Sequence, residues 1–263
     1  QEAIEVTKRY LGYMPQSYLE KPLVPAGAAK SSHPDLRQLI PANEKIPFDI
    51  KLLVEAIADD DSVMEIKAMF AKEMVTSLIR LGGMPVGVVA NNSKFKGGVL
   101  FNDSSDKAAR FIWMCSAFNI PLLFLQDISG YMIGSSAEKS GIIRHGAKLL
   151  SAVCEATVPR ICVLVRKAYG GGYLGMSGAP TQPDCMLALP TALPALVGPE
   201  PPVNAMHYPH IQSPPAAARN AFISATRAEY AAHADVRRTA ASPLAVEPVF
   251  HPTPIRPPPT PPY

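Results

Sequence analysis

The amino-acid sequence predicts an α/β fold, and three observations lead to this prediction. Short apolar runs that are typical of buried strands alternate with segments of helical periodicity through the middle of the chain. Two strand-helix-strand units follow one another between residues 122 and 189, a pattern that favours a parallel sheet. The chain has 263 residues, 48% of them hydrophobic, so it is long enough to bury a substantial core.

The elements before the parallel units begin with an amphipathic segment. Residues 48–58 have helical periodicity and are followed by three aspartates, which predicts a helix that ends there. Apolar runs at 75–81 and 85–90 flank Gly82-Gly83, so we expect two strands joined by a hairpin turn. Residues 103–118 carry apolar side chains at helical spacing, which predicts a helix with one buried face.

The parallel units contain three short apolar runs. These runs predict strands at residues 122–125, 161–165 and 185–189. A loop is expected over residues 126–134. After it, Ser135 and Glu138 have the spacing of a capping box, S-x-x-E, which predicts a helix from there towards residue 156.

The glycine-rich segments after the first two of these strands, 130–134 and 170–172, are the candidate ligand loops. Because parallel strands joined by right-handed crossovers end at one edge of a sheet, we expect both segments at that edge. Three consecutive glycines at 170–172 leave the backbone bare, so its N–H groups can approach a ligand, and a helix beginning there adds its positive dipole end. Such donors stabilise a developing oxyanion. A plain strand-to-helix turn is the alternative interpretation.

Charge and hydropathy exclude several classes of function. The net charge is only +3 and the basic residues are scattered, which is not the pattern of a nucleic-acid-binding protein. No apolar run approaches the roughly 18 residues that cross a membrane, and the first residues lack the features of a signal peptide. We therefore expect a cytoplasmic protein, or one of the mitochondrial matrix in a eukaryote, without a nucleic-acid partner.

The cysteines and histidines form no recognisable metal site. The cysteines lie far apart in apolar runs, which predicts reduced, buried thiols at Cys115, Cys154, Cys162 and Cys185. His207 and His210 lack a third ligand, so no structural metal is expected.

Proline content divides the chain. Nineteen of the 28 prolines lie from Pro180 onward, and such a density disfavours long helices and central strands. We predict an arm or linker over residues 1–47, one domain over 48–240 and a proline-rich tail over 241–263. Within this proline-rich region, residues 216–235 still favour a helix.

Several longer motifs occur in a fixed order. They are Gly97-Gly-Val-Leu, Lys107-Ala-Ala-Arg-Phe, Ala117-Phe-Asn-Ile-Pro, Gly141-Ile-Ile-Arg-His-Gly-Ala-Lys-Leu-Leu, Ala156-Thr-Val-Pro and Arg166-Lys-Ala-Tyr-Gly-Gly-Gly-Tyr. With these motifs, residues 40–204 resemble the carboxyl-terminal half of the biotin-dependent acyl-CoA carboxyltransferases. That family includes components of propionyl-CoA, acetyl-CoA and methylcrotonoyl-CoA carboxylases and a glutaconyl-CoA decarboxylase subunit.

The resemblance implies a crotonase-like ββα superhelix, with this chain as the carboxyl-terminal carboxyltransferase domain. In the family the active site lies between the amino-terminal domain of one protomer and the carboxyl-terminal domain of another. An amino-terminal-domain subunit is therefore the expected partner, in a homo- or hetero-oligomer, and the chain is either a split subunit or part of a longer one. The implied cofactor is biotin, carried as carboxybiotin on a biotin carboxyl carrier protein and charged by a biotin carboxylase.

The resemblance also implies roles for individual residues. Carboxybiotin leaves a ureido oxyanion when its carbon dioxide is released to an acyl-CoA enolate, and by motif position the N–H groups of Gly171 and Gly172 are similar to the pair that holds this oxygen. The implied substrate-binding residues are Tyr131, Met132, Gly134, Tyr169, Tyr173 and Leu174. Leu174 stands where propionyl-type relatives have aspartate, which implies an altered acyl pocket.

Two alternatives remain open from the sequence. One is a decarboxylase subunit of the glutaconyl-CoA type, which would act with a membrane partner. The other is a non-catalytic half that supports an active partner. Structural roles are favoured for Arg144 and His145, and also for Asp127 and Glu138, although these two acids have the position to orient the 130–134 loop.

Overall fold

The computed structural model describes residues 1–24, 34–196, 216–233 and 247–248. Its helices are α1 (Glu2–Leu11), α2 (Leu36–Leu39), α3 (Ile50–Ile57), α4 (Asn102–Ala117), α5 (Ser135–Lys139), α6 (Ile142–Glu155), α7 (Gly170–Gly175) and α8 (Ala216–His233). Its strands are β1 (Met64–Glu65), β2 (Met74–Leu81), β3 (Met84–Asn91), β4 (Leu122–Ile128), β5 (Arg160–Tyr169), β6 (Cys185–Ala188), β7 (Leu193–Ala195) and β8 (Glu247–Pro248).

The strands form one mixed sheet. Within the described residues its hydrogen-bonded order is β1-β2-β3-β4-β5-β6-β8, and β7 pairs with β5. Strands β1 to β3 are antiparallel, whereas β3 to β6 are parallel. Helix α4 connects β3 to β4, and α5 with α6 connects β4 to β5. The predicted α/β class and the two successive strand-helix-strand units are confirmed.

The β2–β3 hairpin forms as predicted. Gly82 and Gly83 have φ angles of 59° and 82°, which glycine adopts without a Cβ clash. The carboxylate of Asp59, just after α3, accepts hydrogen bonds from both N–H groups, at 3.1 Å from Gly82 N and 2.7 Å from Gly83 N. The first of the three aspartates after the helix therefore fixes the turn.

Helices cover the central strands on both faces. On one face, α4 and α6 contribute the buried side chains of Ile112 and Leu149 to a core with Phe124. On the opposite face, α3 contributes Leu53 to a second core with Leu125. Strands that are buried on both faces have continuous apolar runs, which is why runs and not alternation marked them in the sequence.

A buried cation joins α4 to the segment before β2. Lys107 is 1% exposed, and its Nζ donates to the carbonyl oxygens of Phe70 and Met74 at 2.7 and 2.6 Å and of Ala71 at 3.3 Å. Burial lowers the pKa of Lys107 to about 8. Because its donors are satisfied by backbone carbonyls, this lysine has a structural role and fixes the chain that leads into the hairpin.

The helical region after the first candidate loop differs from the prediction. It is divided into α5 and α6 at Ser140-Gly141, where Gly141 has a φ of 89°. Helix α5 starts after Gly134 and has no side-chain cap, so the predicted capping box that starts at Ser135 is wrong. The chain changes direction through a left-handed residue at 141, a conformation that glycine supplies.

Strands β4 and β5 extend beyond their apolar runs. Strand β4 includes Gln126 and Asp127. Strand β5 includes Arg166 and ends at Tyr169, so the glycines at 170–172 form the first turn of α7 and not a loop before it. These polar side chains are fully buried because they have partners inside the protein. Gln126 Nε2, for example, donates to the carbonyl oxygen of Met176 at 2.7 Å.

All four cysteines are free thiols, as predicted. Cys115 and Cys162 are buried, and burial raises the pKa of Cys162 to about 12. Cys185 is partly exposed. Cys154 is exposed, so the prediction of a buried thiol is wrong there. The reason is that α6 is amphipathic, and the apolar run that contains Cys154 includes positions on its outer side.

The segment that the sequence predicts as an arm contacts the domain. Helix α1 has no buried residue, but Tyr13 and Met14 directly after it are buried in the larger core. Arg9 Nη2 donates to the carbonyl oxygens of Asp61 and Val63 at 2.9 and 2.7 Å. Residues 9–14 therefore attach the amino-terminal helix to the chain that precedes β1.

The carboxyl-terminal region is described in part. Helix α8 corresponds to the helix predicted over 216–235, and β8 pairs in parallel with β6. The rest of the proline-rich tail predicted over 241–263, and the pair His207 and His210, lie outside the described residues. In the described part of the chain no helix is long and apolar enough to cross a membrane. Nor do three or more potential metal-ligating side chains come together there.

Candidate active site

The two glycine-rich segments meet at the carboxyl edge of the parallel strands. A Cβ atom added to Gly172 would lie 2.9 Å from the Cα of Gly130 and 2.8 Å from the Cδ1 of Ile128, closer than van der Waals contact permits. The absence of a side chain at residue 172 therefore lets α7 pack directly on the loop after β4. Both segments lie at one edge, as the predicted topology requires.

Helix α7 presents backbone donors at this edge. It begins at Gly170 directly after β5, so Gly171 and Gly172 occupy its second and third positions. The N–H groups in the first turn of a helix have no acceptor within that helix. Gly171 is exposed, whereas Gly172 is buried against the backbone of Gly130.

The loop after β4 is held in place by Leu100. The Leu100 N–H donates to the carbonyl oxygen of Gly130 at 3.1 Å, and the Leu100 carbonyl accepts from the Met132 N–H at 2.8 Å. These two bonds form an isolated parallel bridge between Leu100 and Tyr131. The backbone on both sides of Tyr131 is therefore fixed, and Met132 and Ile133 extend from it, 42% and 82% exposed.

A cavity of about 390 Å³ opens between this loop, α5, α6 and α7. Four residues predicted for the site line it: Tyr131, Met132, Gly171 and Leu174. The rest of the lining is predominantly apolar, and Glu138 supplies the only carboxylate among the described residues that line the cavity. The cavity therefore suits a ligand that has an apolar body and few polar groups.

The other predicted site residues do not line the cavity. Gly172 packs against Gly130 and Ile128, and Gly134 precedes α5. Tyr169 is buried at the end of β5. The Tyr173 side chain packs against the larger core, where its hydroxyl oxygen accepts a hydrogen bond from the Ala179 N–H at 2.9 Å.

The phenols around the site are protonated near neutral pH. Burial raises the pKa of Tyr131 to about 12, and burial together with the nearby carboxylates of Glu44 and Asp127 raises that of Tyr169 to about 12. Burial also raises the pKa of Tyr173. These tyrosines are therefore hydrogen-bonding or packing groups and not bases.

Two ionisable residues of α6 that lie outside the cavity connect this helix to α4. The Oδ1 of Asp106 on α4 lies 2.7 Å from Lys148 Nζ and 3.0 Å from His145 Nδ1. Burial acts to raise the pKa of Asp106, but these two neighbours outweigh burial and lower it below its ordinary value. His145 thus joins two helices, and Arg144 beside it is exposed; neither lines the cavity.

The sequence prediction did not include the wall that α6 contributes to the cavity. This wall consists of Ile142, Ile143, Gly146, Ala147 and Leu150. Its residues recur at three- and four-residue spacing beside the stripe that faces the core, which comprises Leu149, Ala152 and Val153. The apolar surface of α6 is therefore wider than one buried face requires, and that width is the signal for a second contact surface.

A buried ion pair connects the two strands that carry the site loops. Arg166 Nη2 and Asp127 Oδ2 are 2.6 Å apart, and both side chains are fully buried. Arg166 also donates to Ser93 Oγ at 3.1 Å and to the carbonyl oxygens of Asn43 and Ile46 at 3.2 and 2.8 Å. The pair fixes β4 against β5 just before Gly130 and Gly170. This ion pair was not predicted from the sequence.

Comparison with known proteins matches this architecture to one family. A family model described as the carboxyl transferase domain matches residues 1–256. The chain belongs to the carboxyl transferase domain family. It is 52% identical over 241 residues to the "Uncharacterized carboxylase YngE" of Bacillus subtilis, covering 91% of this chain and 47% of that protein. It is 45% identical over 199 residues to the propionyl-CoA carboxylase beta chain of Roseobacter denitrificans, covering 75% of this chain and 39% of that protein.

A solved member of the family has the same fold. The transcarboxylase 12S structure, a hexamer with methylmalonyl-coenzyme A bound, superposes with a TM-score of 0.87 at 35% identity, covering 94% of this chain and 48% of that one. The resemblance to the carboxyltransferases and the crotonase-like fold are thereby confirmed. The chain spans about half the length of these relatives, or less.

Proposed function

We propose that this chain forms the biotin-side half of the active site of a biotin-dependent acyl-CoA carboxyltransferase. The observation that carries the proposal is the contact between the Gly171-Gly172 turn and Gly130 beside an open apolar cavity, in a chain of the carboxyl transferase domain family. The proposed reaction moves a carboxyl group from carboxybiotin to the alpha carbon of a short acyl-CoA.

The residues around the cavity fit the ring system of biotin. The apolar walls suit its fused rings, and the Gly171 backbone at the wall offers an N–H donor for a ureido oxygen. The carboxylate of Glu138 offers an acceptor for a ureido N–H. Biotin, when bound, supplies the carboxyl group that is transferred.

Backbone donors are proposed to stabilise the charge that develops during transfer. The N–H groups of Gly171 and Gly172 are the donors for the biotin oxygen, and their position at the start of α7 gives them added positive potential. The Tyr131 phenol remains protonated near pH 7 and is not a base. The proposal accordingly requires no side-chain base from this chain.

The open side of the cavity is proposed to face a partner that carries the acyl-CoA. Met132, Ile133 and Ile143 are 42%, 82% and 78% exposed around it, and the chain covers only 47% of a close relative. The proposed occupant is the amino-terminal carboxyltransferase half, in a homo- or hetero-oligomer. A biotin carboxyl carrier protein, charged by a biotin carboxylase, is proposed to bring carboxybiotin.

The direct test of this function is a transfer assay. Labelled carboxylate on carboxybiotin is offered with a panel of short acyl-CoAs, to the chain alone and to the chain with its amino-terminal half. We expect labelled product only in the mixture. No product from any acyl-CoA, with the two halves shown to bind, would contradict the proposal and favour a structural half. Net removal of carboxylate from a carboxylated acyl-CoA that requires a membrane partner would favour the decarboxylase alternative.

Leu174 is proposed to contribute to the choice of acyl group. It lines the cavity, whose open side is proposed to face the acyl-CoA, so Leu174→Asp would place a carboxylate on an apolar wall there. We expect the ratio of kcat/KM between long and short acyl-CoAs to change by about 10-fold or more. Leu174→Met conserves volume and is the control, with a change below about 3-fold. An unchanged ratio in Leu174→Asp would refute this role.

A further inference from the structure

Glycines from two helices surround the ring of Tyr131. A Cβ atom on Gly146 of α6 would lie 2.8 Å from the Cε1 of Tyr131 and 3.3 Å from its Cζ. A Cβ atom on Gly175 of α7 would overlap the hydroxyl oxygen of Tyr131. On Gly171 of α7, a Cβ atom would lie 3.5 Å from Tyr131 Cδ2, an ordinary contact. The ring therefore fills a gap between α6 and α7 that exists because two of these residues have no side chain.

Backbone conformation does not explain the glycines at 146 and 175. Neither has a positive φ, so alanine is compatible with the backbone at both positions. Glycine inside a helix destabilises it by roughly 0.5–1 kcal/mol relative to alanine. The feature that requires glycine is the space occupied by the Tyr131 ring.

The Tyr131 ring in turn determines where the cavity opening lies. The backbone on either side of Tyr131 is bonded to Leu100, and Met132 and Ile133 follow directly at the opening. If the ring is displaced, we expect the loop to move with it, either away from Leu100 or towards the cavity. The position of the ring is thus transmitted to residues that line the site.

We propose that Tyr131 and the three-glycine surface formed by Gly146, Gly171 and Gly175 set the width of the substrate cavity. In this role Gly146 and Gly175 are positioning residues that act through Tyr131. The inference rests on the proposed function only for the measurement of KM. The position of the loop is measured separately, by hydrogen exchange of the Met132 N–H, which does not depend on activity.

The two critical glycines meet different atoms of Tyr131, and this difference gives a selective test. Gly175→Ala would collide with the hydroxyl oxygen, which Tyr131→Phe removes, and its Cβ would also lie 3.2 Å from Cζ, a tight contact that a small shift relieves. Gly146→Ala would collide with a ring carbon, which phenylalanine keeps. The hydroxyl donates only a long hydrogen bond of 3.5 Å, to the Gly146 carbonyl, and Tyr131→Phe alone is therefore the reference for both double variants. Phenylalanine should therefore rescue Gly175→Ala and fail to rescue Gly146→Ala.

The experiment uses the chain assembled with its amino-terminal half. Hydrogen exchange of the Met132 N–H and the KM for carboxybiotin are measured for both alanine variants, with and without Tyr131→Phe. Each alanine variant is expected to exchange faster and to raise KM by about 10-fold or more. Adding Tyr131→Phe should bring the Gly175→Ala variant to within about 3-fold of Tyr131→Phe alone and leave Gly146→Ala impaired relative to the same reference. Ser151→Ala on α6 is the matched control and should change neither quantity by more than about 3-fold, since Ser151 is exposed and does not line the cavity.

Rescue of both variants by phenylalanine, or of neither, would overturn the inference, as would unchanged exchange at Met132 in both alanine variants. If the unmodified assembly transfers no carboxyl group, the proposed function fails. The exchange pattern then still decides the role of the three-glycine surface.

Discussion

Replacing Gly172 with valine is expected to lower carboxyl transfer by about 100-fold or more, the loss typical when a preorganised oxyanion donor is removed. The valine side chain would collide with the Gly130 backbone and with Ile128, where even a Cβ atom lies within 2.9 Å of the Gly130 Cα. Helix α7 must then move away from β4, and the N–H groups of Gly171 and Gly172 move with it. The quantity to measure is kcat for labelled carboxyl transfer in the complete assembly.

A neighbouring substitution separates this effect from simple loss of flexibility. Gly171→Ala introduces a Cβ 3.5 Å from the Tyr131 ring, which is ordinary contact, and leaves the N–H in place. It should therefore retain most of the activity. Size-exclusion chromatography should show that the Gly172→Val chain still assembles with its partner. If the Gly172→Val variant transfers the carboxyl group at the rate of the unmodified protein, the assignment of this turn as the oxyanion site is wrong.

Arg166→Met is expected to lower the free energy of unfolding by about 3–5 kcal/mol, the usual cost of removing one member of a buried ion pair. The substitution leaves the Asp127 carboxylate buried without its cation, and both side chains are fully inaccessible in the unmodified protein. It also removes the donors to the carbonyl oxygens of Asn43 and Ile46. The stability can be measured by urea denaturation at pH 7.

Two further variants make this measurement specific. Lys167→Met, on the next residue of β5, changes a partly exposed cation and should alter stability by no more than about 0.5 kcal/mol. Arg166→Met combined with Asp127→Leu removes both charges, so it should be clearly more stable than Arg166→Met alone. If Arg166→Met unfolds at the same urea concentration as Lys167→Met, the ion pair does not hold the two strands together.

Much of the fold follows from local signals in the sequence. The hairpin at Gly82-Gly83, the helix α4 and the parallel strands β4 to β6 were predictable because apolar periodicity and turn chemistry act over a few residues. The edge at which Gly130 and Gly172 meet was also predictable, since parallel strands end together. Tyr131, Met132, Gly171 and Leu174 could be placed near one another for the same reason.

The features that the sequence did not reveal depend on contacts between distant residues. The strands extend through Gln126 and Asp127 only because buried partners satisfy these polar side chains, and Arg166 is 39 residues away from its partner Asp127. The capping-box pattern at Ser135 is present without its geometry, because α5 starts after Gly134, and the break between α5 and α6 at Gly141 was not predicted. The fit of Gly146 against Tyr131 likewise requires two segments in space, and no local pattern encodes it.

The measurement that tests the central claim most directly is photo-crosslinking of the assembled enzyme with a photoreactive biotin derivative. Labelled peptides are identified by mass spectrometry, with excess biotin as the competitor. We predict label on peptides that contain the cavity-lining residues of this chain, which lie between 131 and 150 and between 171 and 175, and loss of this label in the presence of excess biotin. Specific label confined to the amino-terminal half would contradict the claim that this chain supplies the biotin side of the active site.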